Sequence, residues 1–337
     1  MSRLLTIPLM ITALCLTSAC NNTTRPRIMS NVSGKAGEIG IVMDKAYWEG
    51  ALGTAMRSVL AADFPYLPQR EPMFTLFNVP NNAFTTIFQT HRNLIIVQIS
   101  TDNPHAQMEI KKNVWSDPQI VIALSGPDAE AVLSVFEQEK EKLVSAIEQA
   151  ERNRVIVNSK RYEDRSLRML VNESFGGSPV FPDGYALRKQ AKSKDFIWIA
   201  YETTRMTQGI LIYSYPYVNS DSFSKDRMLQ ERNAVLKREV PGQLENSYMT
   251  TYAGQEPSLR WIHYNGKDFA EIRGLWEVEN DFMGGPFVSH AYLDPKTNRI
   301  LVLEAFVYNP RTAKRNPLRQ TESILYSFAW ADEQESK

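Results

Sequence analysis

The sequence predicts an α+β fold, and three observations lead to that prediction. The chain has 337 residues, enough for two ordinary domains or one large domain with a substantial core. Its first half alternates β-prone runs with helical patterns, whereas its second half contains mainly successive strand patterns. Its 14 tyrosines, 15 phenylalanines and 6 tryptophans favour packed sheets with aromatic faces. We expect a mixed α/β half at residues 37–164 and an antiparallel sheet with packed helices at residues 165–331.

The first residues have the pattern of a bacterial lipoprotein signal peptide. Arg3 precedes a mostly apolar, uncharged run at residues 4–16, which is shorter than the roughly 20 residues of a spanning helix. A step of small residues leads directly into Cys20, and the segment LTSAC resembles a lipobox with Thr17 where leucine is usual. This resemblance implies a signal peptide at residues 1–19 and lipid attachment at Cys20. The alternative is ordinary secretory cleavage, for which the small residues alone would suffice.

Lipid attachment would hold the protein on a membrane without a spanning segment. Several acyl chains make a durable anchor, because each buried methylene contributes about 0.8 kcal/mol. Residues 20–36 are polar and lack an apolar period, so we expect a flexible tether.

Composition argues against several kinds of site. Both cysteines, Cys15 and Cys20, lie in the leader or at its end, so the rest of the chain offers no disulfide, thiol nucleophile or cysteine metal site. The 38 basic residues balance the 38 acidic residues, which does not favour nucleic acid as a partner. The four histidines are too scattered for a local metal motif. We therefore expect no metal, no cofactor and no nucleic-acid partner.

The first half predicts strands and helices in alternation. The predicted strands are residues 38–44, 74–79, 93–100 and 119–124. The predicted helices are residues 47–62, residues 82–90 and a long helix that continues to about residue 150. Ser125 is expected to cap the long helix, with Asp128 reaching back to complete a capping box. Its EKEK run at residues 139–142 is interpreted as a solvated face.

The second half predicts strands in close succession. The predicted strands are residues 196–202, 209–215, 259–264, 270–279, 286–294 and 299–308. Helical patterns occur at residues 222–238 and 318–330. The segment DPKTN, which begins at Asp294, is expected to form the turn of a hairpin between the last two strands.

Several segments together resemble a known family. They are GKAGEIGIVMDKAYWEGALG, LPQREPMF, HRNLIIVQI, FPDGYALRK, FIWIAYE, GILIYSYPY and LWEVENDFMGGPFVSHAYLD. The chain resembles the Bacteroidota lipoprotein family catalogued as domain of unknown function 4837, over essentially all of the chain after the leader. The resemblance implies no activity or catalytic residue, and only lipid attachment at Cys20. In that family an acidic cluster after the cysteine is associated with export to the cell surface. Its absence here favours an outer-membrane location facing the periplasm.

Glu304 is the carboxylate to test for catalysis. It lies in the apolar run ILVLEAFVY, and a four-residue hairpin loop would place it opposite Ser289. A carboxylic acid among apolar neighbours retains its proton more readily and could serve as a general acid. The simpler interpretation is a half-exposed sheet position paired with a basic residue or a hydroxyl, since one carboxylate is no mechanism.

Five aromatic residues near glycine-containing segments are candidates for a binding surface. These residues are Trp48, Phe181, Tyr185, Phe282 and Phe287. The alternative is that they pack in cores or against turns, as most aromatic side chains do.

These observations favour a lipid-anchored envelope protein that binds a ligand or an envelope protein partner and performs no catalysis. One alternative is an envelope hydrolase acting on glycan or peptide material. The other is a carrier of hydrophobic ligands, which would need a large apolar cavity.

Overall fold

The computed structural model describes residues 29–335, and it confirms the α+β class. The predicted signal peptide and Cys20 lie outside the described residues. Among the helices of residues 29–335, none is both long enough and apolar enough to cross a membrane.

The N-terminal half, residues 30–161, is an α/β unit. Its strands are β1 (Ser30–Asn31), β2 (Glu38–Val42), β3 (Thr75–Val79), β4 (Asn93–Ile99), β5 (Gln107–Lys112), β6 (Ser116–Asp117) and β7 (Ile120–Gly126). Its helices are α1 (Lys45–Glu49), α2 (Ala51–Leu60), α3 (Thr86–Gln89) and α4 (Ala129–Arg161). The main sheet has the order β3-β2-β4-β7-β5, in which only β5 is antiparallel to its neighbour.

The central strands β2, β4 and β7 are apolar along most of their length because both faces of a central parallel strand are covered. Helices α2 and α4 pack on one face of this sheet. Their buried apolar side chains are Leu52, Met56, Leu60, Val132, Phe136, Leu143 and Ile147.

The structure corrects three details of this half. The predicted helix at 47–62 divides into α1 and α2 because Gly50 has an extended backbone. Ser125 does not cap α4, since the ladder between β4 and β7 continues through it, and Asp128 caps the helix by accepting from the N–H of Ala131 at 2.8 Å. Strand β5 was not predicted, because an edge strand with exposed side chains carries little apolar alternation.

The C-terminal half, residues 165–335, is built on an antiparallel sheet. Its strands are β8 (Gly177–Ser178), β9 (Ala186–Gln190), β10 (Phe196–Glu202), β11 (Thr207–Pro216), β12 (Met249–Thr251), β13 (Ser258–Tyr264), β14 (Lys267–Val278), β15 (Gly284–Asp294), β16 (Arg299–Tyr308) and β17 (Ala329–Trp330). Its helices are α5 (Arg165–Phe175), α6 (Lys225–Glu239), α7 (Arg315–Leu325) and α8 (Ala331–Glu335). The sheet has the order β12-β14-β15-β16-β11-β10-β9, and β13 also pairs with β14.

Helices cover both faces of this large sheet. Helix α6 packs on one face, and α5 and α7 pack on the other. The predicted hairpin between β15 and β16 is confirmed, with Asp294 opposite Arg299 and Ser289 opposite Glu304. The last predicted helix ends earlier than expected, since β17 pairs with β8 in place of a further helical turn. Helix α5 was not predicted.

Helix α7 joins the two halves through polar contacts at its start. The carboxylate of Glu71 accepts from the backbone N–H groups of Lys314 and Arg315 at 2.6 and 3.1 Å. The guanidinium of Arg315 donates to the carbonyl of Pro72 at 2.6 Å, and that of Arg319 donates to the carbonyl of Met73 at 2.7 Å. The N-terminal half thus supplies the acceptors that the first turn of α7 lacks by itself.

A small apolar cluster lies beside these contacts. Phe64, together with partly buried Leu67 and Met73, packs against Val288, Val307 and Leu318. Because apolar and polar contacts hold the same interface, we expect the two halves to move together.

Glu71→Ala tests the docking of α7. The loss of a carboxylate that satisfies two N–H groups at a helix start is expected to lower the free energy of unfolding by about 1–3 kcal/mol. Urea denaturation measures the change, with exposed Glu245→Ala as the matched control, for which we expect little change. Equal stabilities of the two variants would contradict the assigned role.

Candidate functional site

A cleft with a volume of about 420 Å³ lies between the two halves. One wall is the loop at residues 64–66 of the N-terminal half, and the others come from α4, β13, β14 and α7. Four arginines line this cleft, namely Arg152, Arg260, Arg273 and Arg319. They make the cleft the candidate functional site.

A buried ion-pair network forms the floor of the cleft. The guanidinium of Arg273 lies between two carboxylates, with its Nε 2.6 Å from Glu271 and its Nη1 3.3 Å from Glu322. Its Nη2 donates to both carboxylates. Glu271 also accepts from Nε of Arg260 at 2.6 Å. Buried carboxylates need such partners, because an unpaired charge in the interior costs several kcal/mol.

His290 completes this network behind the cleft. Its ring packs 4.3 Å from the ring of Phe269 and 4.6 Å from that of Tyr326, centroid to centroid. Its Nε2 lies 3.4 Å from Glu271 without hydrogen-bond geometry, and its Nδ1 has no acceptor or donor among residues 29–335. The imidazole is therefore held by ring packing and by the field of one carboxylate.

The network shifts the protonation of its members. Burial would raise the pKa of Glu271, but the charge of Arg273 holds that pKa well below its usual range. Burial lowers the pKa of His290, against the opposing effect of Glu271. Burial would lower the pKa of Arg273, yet Glu322 and Glu271 raise it well above its usual range. These pKa shifts favour a charged carboxylate at Glu271, a charged guanidinium at Arg273 and a neutral imidazole at His290.

The same residues have the spacing of a metal-ligand set. One ligand atom from each of Glu271, His290 and Glu322 lies within 4.8 Å of the other two. However, Arg273 already supplies the positive charge that binds both carboxylates. A cation would have to displace the guanidinium, so this arrangement does not fit a metal ion.

The structure buries Glu304 fully, at 0% exposure, which differs from the half-exposed position expected. Both of its oxygens accept hydrogen bonds of 2.7 Å from Arg232, whose guanidinium lies 3.8 Å from the ring centroid of Phe287. Pairing with a basic residue was anticipated as the simpler interpretation, but the pair is closed to solvent. Because both oxygens are occupied by charge-assisted bonds, Glu304 has no access to a substrate.

The five aromatic candidates do not lie together, which corrects the expectation of a common surface. Trp48 packs under the guanidinium of Arg57 at the N-terminal sheet, while Phe181 and Tyr185 are buried in the α5 side of the large sheet. Phe287 is buried on the opposite side, and only Phe282 is fully exposed, on the loop between β14 and β15.

The arginines of the cleft were not among the predicted site residues. Glu271 and Arg273 lie two apart in the predicted strand at 270–279, and this spacing places two opposite charges on one face of an apolar strand. That pattern was a usable signal. Arg152 and Arg319 offered none, since each lies on a helix with many other charged residues.

Two family models match the chain. Residues 164–327 match the domain of unknown function DUF4837, and residues 32–160 match the domain of unknown function DUF8532. The chain contains a domain of unknown function. The match to DUF4837 confirms the resemblance to that domain of unknown function over residues 164–327, which is less of the chain than expected, and residues 32–160 match a different model.

The chain is weakly similar to solved structures. The crystal structure of the Saccharomyces cerevisiae Ran-binding protein Mog1p is 10% identical, covers 47% of this chain and 92% of that chain, and has a TM-score of 0.31. A variant of protein Mog1 is 8% identical, covers 48% and 94%, and has a TM-score of 0.27. Scores this low carry no argument about fold or function. No curated protein matches the chain.

Arg232→Met tests the closed ion pair with Glu304. The variant leaves a buried carboxylate without its partner, which is expected to lower the free energy of unfolding by about 3–5 kcal/mol. The double variant Arg232→Met/Glu304→Leu should recover most of this loss, because apolar residues of similar volume replace buried pairs well.

Urea denaturation compares these variants with Arg188→Met, which breaks the partly exposed pair with Glu202 and should change stability by less than about 1 kcal/mol. A double variant as unstable as Arg232→Met would contradict this account of the pair.

His290→Phe tests the buried imidazole through the pH dependence of stability. A histidine in the unfolded chain binds a proton near pH 6.5. Because burial lowers the pKa of His290, the folded state binds fewer protons below that pH, and the free energy of unfolding falls as the pH drops from about 6.5 through the folded pKa. Phenylalanine keeps the ring packing and removes this titration.

The His290→Phe variant should therefore lose less stability between about pH 7.5 and 5.5 than the unaltered protein, by at most about 1.4 kcal/mol per pH unit. Exposed His105→Gln is the control for a histidine outside the network. Parallel pH profiles for His290→Phe and the unaltered protein would exclude this contribution.

Proposed function

We propose that the protein is a lipid-anchored bacterial envelope protein that binds a ligand in the cleft and performs no catalysis. The observation that carries the proposal is the chemistry of the cleft walls, where every lining carboxylate already pairs with an arginine among the described residues. Glu148 pairs with Arg319 at 3.3 Å, and Glu322 pairs with Arg273. Glu151 accepts from Arg92 at 2.9 Å and from Arg154 at 3.0 Å.

This pairing argues against catalysis by these carboxylates. A general acid or base must exchange a proton with the substrate, and a covalent nucleophile must reach it. Carboxylates held by guanidinium groups do neither without losing their partners. The ion pairs hold the charged groups of the cleft in fixed positions, and a fixed pattern of charge is what selective binding requires.

The dimensions of the cleft support binding of a small molecule. Its volume of about 420 Å³ falls within the range of about 300–1,000 Å³ typical of ligand pockets. Its walls are fixed by the docking of α7, so the site is formed before a ligand arrives. Preformed sites avoid the entropy cost of ordering loops on binding.

The two alternative functions receive less support. The hydrolase hypothesis depended on Glu304, which is closed to solvent and bound to Arg232. The carrier hypothesis needs a large apolar cavity, and a cavity of about 270 Å³ beside Trp198, Trp276 and Phe306 is below the usual size of ligand pockets. The charged cleft is therefore the better candidate.

The anchor part of the proposal rests on the leader and on Cys20. The expected tether at residues 20–36 is shorter than predicted, because β1 begins at Ser30 and pairs with β6. A lipidated Cys20 joined to β1 by the intervening polar segment would place the cleft close to the outer membrane, facing the periplasm. An envelope protein partner would then be within reach as well.

Native mass spectrometry of the full-length protein, purified from its own membranes, tests both parts. The intact mass should show cleavage before Cys20 and added acyl chains, and Cys20→Ala should leave no protein with these chains. The unaltered protein should carry a bound small molecule. Ser258→Trp fills the cleft from β13 and should lose that molecule, whereas Ser134→Trp, on the exposed face of α4, should retain it.

An unmodified amino terminus would exclude lipid anchoring. Two results would exclude the cleft as the binding site. One is identical ligand content in the Ser258→Trp and Ser134→Trp variants. The other is that no small molecule is bound and a stoichiometric protein partner stays bound to Ser258→Trp.

A further inference from the structure

Arg152 lies in the wall of the cleft without a carboxylate partner. Among residues 29–335 it forms no ion pair, unlike Arg92, Arg154 and Arg319. The guanidinium carbon lies 3.5 Å from the ring centroid of Tyr326 and 5.5 Å from that of Tyr264. Its one protein acceptor in this part of the chain is the side-chain oxygen of Gln149, at 3.1 Å.

This geometry leaves hydrogen-bond donors available. Arginine has five N–H donors in the plane of the guanidinium, and an aromatic ring occupies only the face. Stacking on Tyr326 therefore fixes the orientation of Arg152 while most of its in-plane donors stay free. An oxygen anion in the cleft could accept two of them in a bidentate pair.

Arg260 contributes a second set of free donors. Its Nε donates to Glu271 at 2.6 Å, and no protein acceptor among residues 29–335 takes its two terminal nitrogens. Its side chain is 58% exposed. Arg273 and Arg319, in contrast, have acceptors at both terminal nitrogens.

The charges of the cleft do not balance, although those of the whole chain do. Arg260 and Arg273 are balanced by Glu271 and Glu322, and Arg319 is balanced by Glu148. Arg152 remains as an excess positive charge. Glu151 does not offset it, because that carboxylate is shared by Arg92 and Arg154.

The remaining lining of the cleft is largely apolar. It includes Phe64, Pro65, Met73, Val155 and Pro317. A ligand that matches both parts of the site would combine an oxygen anion with an apolar body, since burial of the apolar part adds affinity that a charge alone does not supply.

We propose that the cleft recognises a small amphiphile that carries a carboxylate or phosphate group, with Arg152 and Arg260 as the donors to that group. This inference rests on the proposed function, because it names the class of ligand for the same cleft. The anionic group could belong to a free small molecule or to the headgroup of a lipid, which supplies the same chemistry.

Isothermal titration calorimetry tests the proposal on the full-length protein in phosphatidylcholine nanodiscs, with empty nanodiscs as the blank. The probes are hexanoate, its neutral analogue hexanamide, hexyl phosphate and inorganic phosphate. Arg152→Gln and Arg260→Gln keep polar side chains of related shape and remove the charge. Exposed Arg205→Gln, outside the cleft, is the matched control.

Hexanoate or hexyl phosphate should bind the unaltered protein and Arg205→Gln equally. Hexanamide should bind the unaltered protein at least about tenfold more weakly than hexanoate does. The anionic probes should bind Arg152→Gln more weakly than the unaltered protein by a similar factor, because a charge-assisted bidentate contact is lost. Competition by phosphatidylglycerol nanodiscs would identify a lipid headgroup as the source, and its absence would identify a free molecule.

Three results would overturn the inference. They are equal binding of hexanoate and hexanamide, unchanged binding by both Arg152→Gln and Arg260→Gln, and no binding of any anionic probe. In each case, if a small molecule co-purifies with the unaltered protein and is lost from Ser258→Trp, the cleft still binds a ligand and only the ligand class is wrong. If no such molecule co-purifies, the proposed function is contradicted as well.

Discussion

The docking of α7 onto the N-terminal half is the constraint on which the rest of the structure depends. A helix start exposes N–H groups that need acceptors, and here the carboxylate of Glu71 supplies them from more than two hundred positions earlier in the chain. Farther along the same helix, Glu322 reaches the opposite side and binds Arg273 on the large sheet. One helix therefore contacts both sheets and forms a wall of the space between them.

The cleft follows from that arrangement. Helix α4 packs on the N-terminal sheet and also against α7, so Arg152 and Glu148 point toward a space that the C-terminal sheet closes. Charged side chains in such a space must find partners. Glu148 pairs with Arg319 across the boundary between the halves, whereas Arg273 and Glu322 pair within the C-terminal half. Arg152 has no carboxylate partner among the described residues, so its free N–H donors are available to a ligand.

The two buried arginine networks differ in what they can do. Arg232 on α6 and Glu304 on β16 form a pair closed to solvent, and neither residue lines the cleft. Arg273 and its two carboxylates lie at the floor of a cavity, where the same chemistry orients charge toward an occupant. Burial and ion pairing alone do not distinguish a structural site from a binding site. The distinction depends on whether a ligand can reach the charged groups from solvent.

Local pattern determined the class of the fold and most of its strands. Residues 299–308 were predicted as a strand with the same limits as β16, and the pairing of Ser289 with Glu304 followed from the length of one hairpin loop. Such features depend on residues close in sequence, as do the turn at Asp294 and the prediction of a leader at residues 1–19. Local signals failed where neighbours in space decided the outcome, as for Ser125, which continues a strand because β4 lies beside it.

The candidate site belongs to the second category. Its features depend on residues that are far apart in the chain. Arg232 pairs with Glu304, Phe181 and Phe287 are buried in separate cores, and four arginines converge on one cleft. Periodicity reports which face of a helix or strand is apolar, but it carries no information about which element covers that face. The sequence by itself determined the class and most of the strands, and it predicts the anchor. Only the tertiary structure decided where the charges meet, because ion pairs and clefts form between elements whose relative placement no local pattern encodes.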